Sequence, residues 1–251
     1  MTLNYVVALK QVPDLQQLRM RERKPVLTDI PKEFGKIDKN ALECAVGLKE
    51  EHGGEVILVS VGSDELVETL KDGLACGGDR ASIIADDAAG GLQSADTALL
   101  LARLIAELDE VGLVFFAEGS ADNYSGQVGS RVAELLGYPQ VGYATEVRLS
   151  GSKAVVTRAL EGSYEELEVD LPAVVIVASD LNKPRLPSVI QILQAGKKPK
   201  EVRELADLGF AANELTLIHD NIAPDTARGM QKLEGAGEII GVLKDNGIIE
   251  R

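Results

Sequence analysis

The chain has 251 residues, 45% of them hydrophobic but only 4% aromatic, with no Trp and a net charge of −14. That apolar content is enough for a sizeable core of Leu, Val, Ile and Ala, the filling of parallel sheets covered by helices. The acidity argues against nucleic acid as a partner, because a polyanion would be repelled, and otherwise serves solubility.

Asn4 to Lys10 reads as a short buried strand stopped by Pro13. Residues 15–34 are charged and irregular, a surface excursion holding a small hairpin. From Asp38 the spacing turns helical, with Ala41, Leu42, Ala45, Val46 and Leu48 on one side and Lys39, Glu43 and Glu50 on the other, until Gly53-Gly54 ends it. Glu55 to Val61 is the second strand. Ser63 is the expected N-cap of a helix from Glu65 to Leu74. Ala81 to Ala85 is a strand, Ser94 to Leu108 a helix, and the apolar run from Gly112 to Ala117 a fourth, fully buried strand. This alternation predicts a doubly wound, mainly parallel α/β sheet with right-handed crossovers.

After Gly137 the pattern changes. Val141–Leu149, Lys153–Leu160 and Tyr164–Val169, separated by Ser-Gly-Ser and Glu-Gly-Ser, read as antiparallel strands extending the sheet. Ala173 to Ser179 is a further buried strand. The segment after Asp180 carries three prolines and a short apolar run, Val189 to Leu193, flanked by basic residues. A strand at 214–218 and a helix at 238–245 close the chain, as an arm that completes its core either on another chain or on its own domain.

Cys44 and Cys76 form no CxxC and are joined by only two histidines, His52 and His219, so two reduced thiols are expected and a metal site is not. No run reaches the roughly 18 apolar residues of a membrane span, and the N-terminus enters a strand without a charged leader, so a cytoplasmic protein is expected.

The candidate chemistry lies where parallel strands end. Three loops, Ala8-Leu9-Lys10, Val61-Gly62-Ser63 and Ala117 to Gln127, converge on one crevice in a sheet of this class. The last loop, with Gly119, Asp122, Ser125 and Gly126, leads into a helix at Gln127-Val128 whose first N–H groups suit a phosphate. Asp122 serves either as an acceptor for a ribose or as a helix cap without ligand, and Gln127 as an amide partner. No GxxxxGK[ST], GxGxxG or GxSxG is present, which leaves a chain that binds a nucleotide without transforming it.

From Arg158 to Lys198 the residues become specific. An Arg is followed three residues on by Glu161-Gly162, then by Glu165, an apolar-Pro-apolar strand, Asn182-Lys183-Pro184-Arg185 and the pair Lys197-Lys198. This stretch resembles the β subunit of electron transfer flavoproteins. VVALKQVPD at the start, NALECAVGLKE, VSVG before residue 63, LACGGDRA at 74–81 and DNYSGQVG at 122–129 are similar to the same family, in order and over nearly the whole chain. Three departures stand out: Gly35-Lys36 where many members have Asn-Pro, Glu118-Gly119 in place of Lys/Arg-Gln, and Ala159 where an acid is common.

The resemblance implies an adenine nucleotide alpha hydrolase-like fold, with a nucleotide-binding domain over residues 1–200 and an arm over 201–251 packing on an α subunit. It implies an electron carrier without catalytic side chains of its own, in a heterodimer with an α subunit that carries FAD. FAD is the expected nucleotide here, with AMP, held as a fixed plug, the alternative; a free-standing adenine-nucleotide sensor is a third reading. By position the nucleotide contacts fall at Ala8, at the loop from Gly35 to Asp38, at Val61, and from Ala117 to Val128. Segment 182–198 matches a loop that docks acyl-CoA or other flavin dehydrogenases, with Val189 as apolar anchor between Pro184-Arg185 and Lys197-Lys198. In the bifurcating branch, which KQVPD resembles, NADH and ferredoxin are further partners.

Overall fold

The computed structural model describes residues 3–210, 222–225 and 232–249. The strand expected at 214–218 lies outside the described residues. The chain divides into two units, residues 1–19 with 27–217 and residues 20–26 with 218–251.

In chain order the elements begin with β1 (Asn4–Ala8) and four three-residue strands, β2 (Gln11–Pro13), β3 (Arg19–Arg21), β4 (Lys24–Val26) and β5 (Lys32–Phe34). There follow α1 (Lys36–His52), β6 (Val56–Gly62), α2 (Leu66–Ala75), β7 (Arg80–Ala85), α3 (Ser94–Ala106), β8 (Val111–Ala117) and α4 (Val128–Leu136). The chain goes on through β9 (Gln140–Ser150), β10 (Lys153–Leu160), β11 (Ser163–Asp170) and β12 (Ala173–Val177). It ends in α5 (Val189–Ala195), β13 (Lys200–Arg203) and α6 (Ala236–Asp245).

Nine strands form one sheet in the order β11-β10-β9-β12-β8-β1-β6-β7-β13. Pairing is parallel from β9 across to β13, and antiparallel only along β9-β10-β11. The fold is therefore the expected doubly wound α/β sheet with an antiparallel extension. The expected excursion at 15–34 resolves into the edges of two small sheets, β2-β5 and β3-β4.

Successive side chains of a strand point to opposite faces, so β1 feeds two cores. Tyr5, Val7 and Leu9 join Leu42 of α1 and Leu70 of α2 on one side. Val6 and Ala8 join Leu101 of α3 and Val132 of α4 on the other. Burial on both faces is why the central strands are unbroken apolar runs rather than alternating ones. Where α4 crosses the sheet, a Cβ on Gly129 would stand 3.0 Å from Phe116 and 3.1 Å from Ile176, so any larger residue makes those side chains give way by a few tenths of an ångström.

Four details differ from the sequence reading. Ser63 is not an N-cap: α2 starts at Leu66 behind Glu65 with no side-chain cap, and the Ser63 hydroxyl accepts from Lys32 Nζ at 3.4 Å. β9 is a two-partner strand, parallel to β12 through Ala144 and antiparallel to β10 from there on. Tyr143, with φ of 58°, marks the irregularity between the two registers. The apolar run at 189–193 is helix α5, opened by a Ser188–Gln191 capping box, and β13 adds a parallel edge strand beside β7.

In the second unit Arg23 and Ala223 exchange hydrogen bonds, Ala223 N–H to Arg23 O at 2.8 Å and Arg23 Nε to Ala223 O at 2.7 Å. Its helix α6 buries none of its residues within this chain. Among the described residues no helix is long and apolar enough to cross a membrane.

Candidate functional site

The sheet reverses direction at β1. The chain from β1 builds β6 and β7 on one side, whereas β8 lies against β1's other edge. Such a reversal leaves the loops after the two adjoining strands splayed apart, opening a crevice at their C-terminal ends. The loops in question are those after β1, carrying Leu9 and Lys10, and after β8, running from Glu118 to Gln127. Val61 and Gly62 end the neighbouring β6.

Several bonds hold the β1 exit. Buried Ser60 on β6 donates from its hydroxyl to Leu9 O at 2.5 Å. The Lys10 N–H donates to Asp38 Oδ2 at 3.1 Å, and the Gly35 N–H to Lys10 O at 3.2 Å. Asp38 lies in the first turn of α1 with only 6% of its surface exposed. Burial pushes its carboxyl up to about 7, against the lowering effect of the Lys10 N–H and the Lys10 charge.

The Lys10 ammonium spans the crevice. It bonds both oxygens of Asp122, at 2.6 and 2.8 Å, and Ser120 Oγ at 3.3 Å. Burial acts to raise the Asp122 pKa, but the hydrogen bonds from Lys10 and Ser120 outweigh it and hold the carboxyl below its ordinary value. Within the loop, Tyr124 OH donates to Glu118 Oε1 at 3.0 Å, and its ring lies 2.8 Å from where a Gly119 Cβ would be. Asn123 Oδ1 accepts from Ser120 Oγ at 3.0 Å and from Ser125 N–H at 3.3 Å, while Gly126 takes the left-handed φ of 62°.

At the start of α4 the side chain of the N-cap residue Gln127 makes no capping bond to the helix. Its Oε1 instead accepts from Ser94 Oγ at 2.9 Å and Arg131 Nη2 at 3.0 Å. The helix start thus keeps backbone donors that its own sequence does not satisfy, with the positive end of the helix dipole behind them. Ser125, Gly126 and Gln127 are exposed and Val128 half-buried, whereas Ala8 and Leu9 are buried under the crevice floor. An uncapped helix start is a donor set that suits the phosphate end of a nucleotide; the nearby cations are Lys10, bonded to Asp122, and Arg131, bonded to Gln127.

The predicted contacts at Ala8, Leu9, Lys10, Asp38, Val61, Gly62, Ala117, Gly119, Asp122, Ser125, Gly126, Gln127 and Val128 thus sit at the C-terminal ends of three adjacent strands, β6, β1 and β8, or on the elements that follow them. Sequence reading missed Ser60, Ser94 and Arg131, and covered Ser120 only as part of the Ala117–Val128 stretch. Only Arg131 carried a signal, standing one helical turn after Gln127.

The second predicted cluster lies elsewhere on the first unit. Leu186, Val189 and Leu193 are 92%, 73% and 72% exposed around α5, whose Ala195 is buried. Lys197 is exposed and Pro184 half-buried. Arg185 is ion-paired with Glu43 and Glu50 of α1, and Lys198 Nζ donates to Leu74 O and Gly78 O at the end of α2.

An open parallel sheet that reverses at β1, with a bare helix start at the reversal, places the protein in the doubly wound class that keeps its ligands at strand ends. Comparison with known families narrows this, since the Electron transfer flavoprotein domain matches residues 26–208. An electron transfer flavoprotein subunit beta from Thermoanaerobacterium thermosaccharolyticum is 36% identical, over 99% of this chain and 97% of its own. The caffeyl-CoA reductase-Etf complex subunit CarD of Acetobacterium woodii is 30% identical over 98% and 100%, and the subunit beta of Bradyrhizobium diazoefficiens 31% over 87% and 87%. The chain belongs to the electron transfer flavoprotein family, as a β subunit, and its role is in electron transfer.

Proposed function

We propose that this chain holds an adenine nucleotide in the β1–β8 crevice and works with an FAD-carrying α subunit to move electrons between flavin dehydrogenases and their acceptors. The observation that carries this reading is the uncapped start of α4 beside Lys10 at the sheet's reversal. Backbone N–H groups around Val128 bind the phosphate, and Lys10, shared with Asp122, supplies charge next to it. The Gln127 oxygen is taken by Ser94 and Arg131, which leaves its amide NH2 as the group a ligand could use. Asp38 and Ser60 contribute by fixing the Leu9–Lys10 backbone that floors the site.

We take the nucleotide to be FAD, supported by the KQVPD opening and by the likeness to a subunit of a caffeyl-CoA reductase-Etf complex. A flavin held here by the start of α4 and the Leu9–Lys10 backbone would supply the redox chemistry, taking a hydride from NADH, passing its two electrons singly to the α-subunit FAD and to ferredoxin, and releasing the proton to solvent. The apolar face of α5 is the docking surface for an acyl-CoA or other flavin dehydrogenase, because an exposed apolar patch with a polar rim suits a transient partner. The arm, with no residue of α6 buried within this chain, packs on the α subunit. The test is to purify the heterodimer and count its nucleotides. Two FAD per pair are expected; one FAD with AMP overturns the bifurcating reading, and one FAD with no second nucleotide overturns the site.

A further inference from the structure

We infer that Arg185 and Lys198 are positioning residues: they fasten the two ends of segment 182–198 to α1 and α2 and so present the apolar face of α5, without meeting the partner themselves. This rests on the reading of that segment as partner-facing. Arg185 directs four of its five guanidinium N–H donors to its own chain. Nε and Nη2 reach Glu43 at 2.8 and 2.9 Å, and Nη1 and Nη2 reach Glu50 at 2.6 and 3.1 Å. Its backbone N–H adds a bond to Glu43 Oε2 at 3.0 Å. Glu43 and Glu50 stand two turns apart on one face of α1, a spacing that a flat, forked cation bridges and an ammonium does not.

The same end of the segment is held by a reciprocal pair. Asn40 Nδ2 donates to Asn182 O at 2.7 Å, and Asn182 Nδ2 to Asn40 O at 2.9 Å. At the far end Lys198 Nζ donates to Leu74 O in the last turn of α2 at 2.8 Å and to Gly78 O in the loop that follows at 2.6 Å. Between these points α5 has seven residues and buries only Ala195. A helix that short does not hold itself together in water, so its order comes from the packing of its Ala195 side on α2, from its fastened ends and from its capping box. Fastening removes in advance the ordering cost that a loose loop would meet at each encounter.

Two explanations of a damaging Arg185 substitution can be separated through its acceptors. In the heterodimer, Arg185→Ala and the double variant Glu43→Gln/Glu50→Gln are compared with wild type. One readout is amide hydrogen exchange of α5; the other is KM and kcat for electron transfer from an acyl-CoA dehydrogenase reduced by its substrate. We expect both variants to speed exchange across 189–196 by about tenfold and to raise KM alike, with kcat kept and Arg185→Lys failing to rescue. If Arg185→Ala raises KM while the Gln pair matches wild type in KM and exchange, Arg185 meets the partner itself and the inference is overturned. Unchanged exchange in the Gln pair overturns it as well, even if Arg185→Ala does not fold. Val189→Asp reports on the docking reading separately: an unaltered KM in that variant removes α5 from the partner interface, while the exchange data still decide the fastening.

Discussion

Replacing Asp38 by asparagine should remove a pH dependence of stability that the wild type carries. In the unfolded chain this carboxyl titrates near 3.8, and in the folded protein at about 7, because burial at the start of α1 opposes its charge. The folded state therefore holds the proton more tightly. The stability linked to it is fully present below 3.8, falls as pH rises towards 7, and is flat above that. The whole gap, roughly three pH units, corresponds to ~4 kcal/mol at about 1.4 kcal/mol per unit. From about pH 5 to about pH 8 only the last two units of it are crossed, or ~2.7 kcal/mol, a shift of a few °C in the melting temperature of an assembly larger than about 250 residues. Asparagine keeps an oxygen for the Lys10 N–H and cannot ionise, so it stands in for the protonated form. Calorimetric melting of the heterodimer over that range, wild type minus variant, isolates this group from the other carboxylates. Parallel curves would refute the assignment of a buried, upshifted carboxyl.

Lys10→Gln leaves Asp122 without its cation, so nucleotide affinity should fall about tenfold. The half-exposed ion pair itself contributes less than ~1 kcal/mol, so melting should hardly move. Titration calorimetry with FAD or AMP on nucleotide-free heterodimer checks this, and an unchanged Kd would take Lys10 out of the site. Gly129→Val puts side-chain carbon against Phe116 and Ile176, forcing α4 off the sheet at a cost of ~1–3 kcal/mol. Co-purifying nucleotide should fall with it; full retention would show that the helix start does not hold the phosphate.

The parallel half of the fold was legible because its strands are buried on both faces and its helices are amphipathic, two patterns with different periods that a sequence displays directly. Runs such as Val111–Ala117 have few other homes. β13 escaped because KEVR, a charged edge strand, carries no periodic apolar signal and owes its place to pairing with β7. The residues of the crevice were found through the loops that carry them, but their partnerships were not. Lys10 and Asp122 lie 112 positions apart, Gln127 and Ser94 33 apart, and nothing local in either pair announces the other. Arg185 and Lys198 looked like a basic rim for the same reason: their acceptors, on α1 and at the end of α2, become neighbours only once the chain is folded.

The position of β12 between β8 and β9 has a consequence for synthesis on the ribosome. Residues 140–170 leave the growing sheet before Ala173–Val177 returns to fill the gap beside β8. Until that late piece emerges, the VGLVFFA strand stands with one edge unpaired, an invitation to neighbouring nascent chains. A chain stalled short of Val177 thus carries an open apolar edge prone to aggregation, and slow translation through the preceding hairpins lengthens its life.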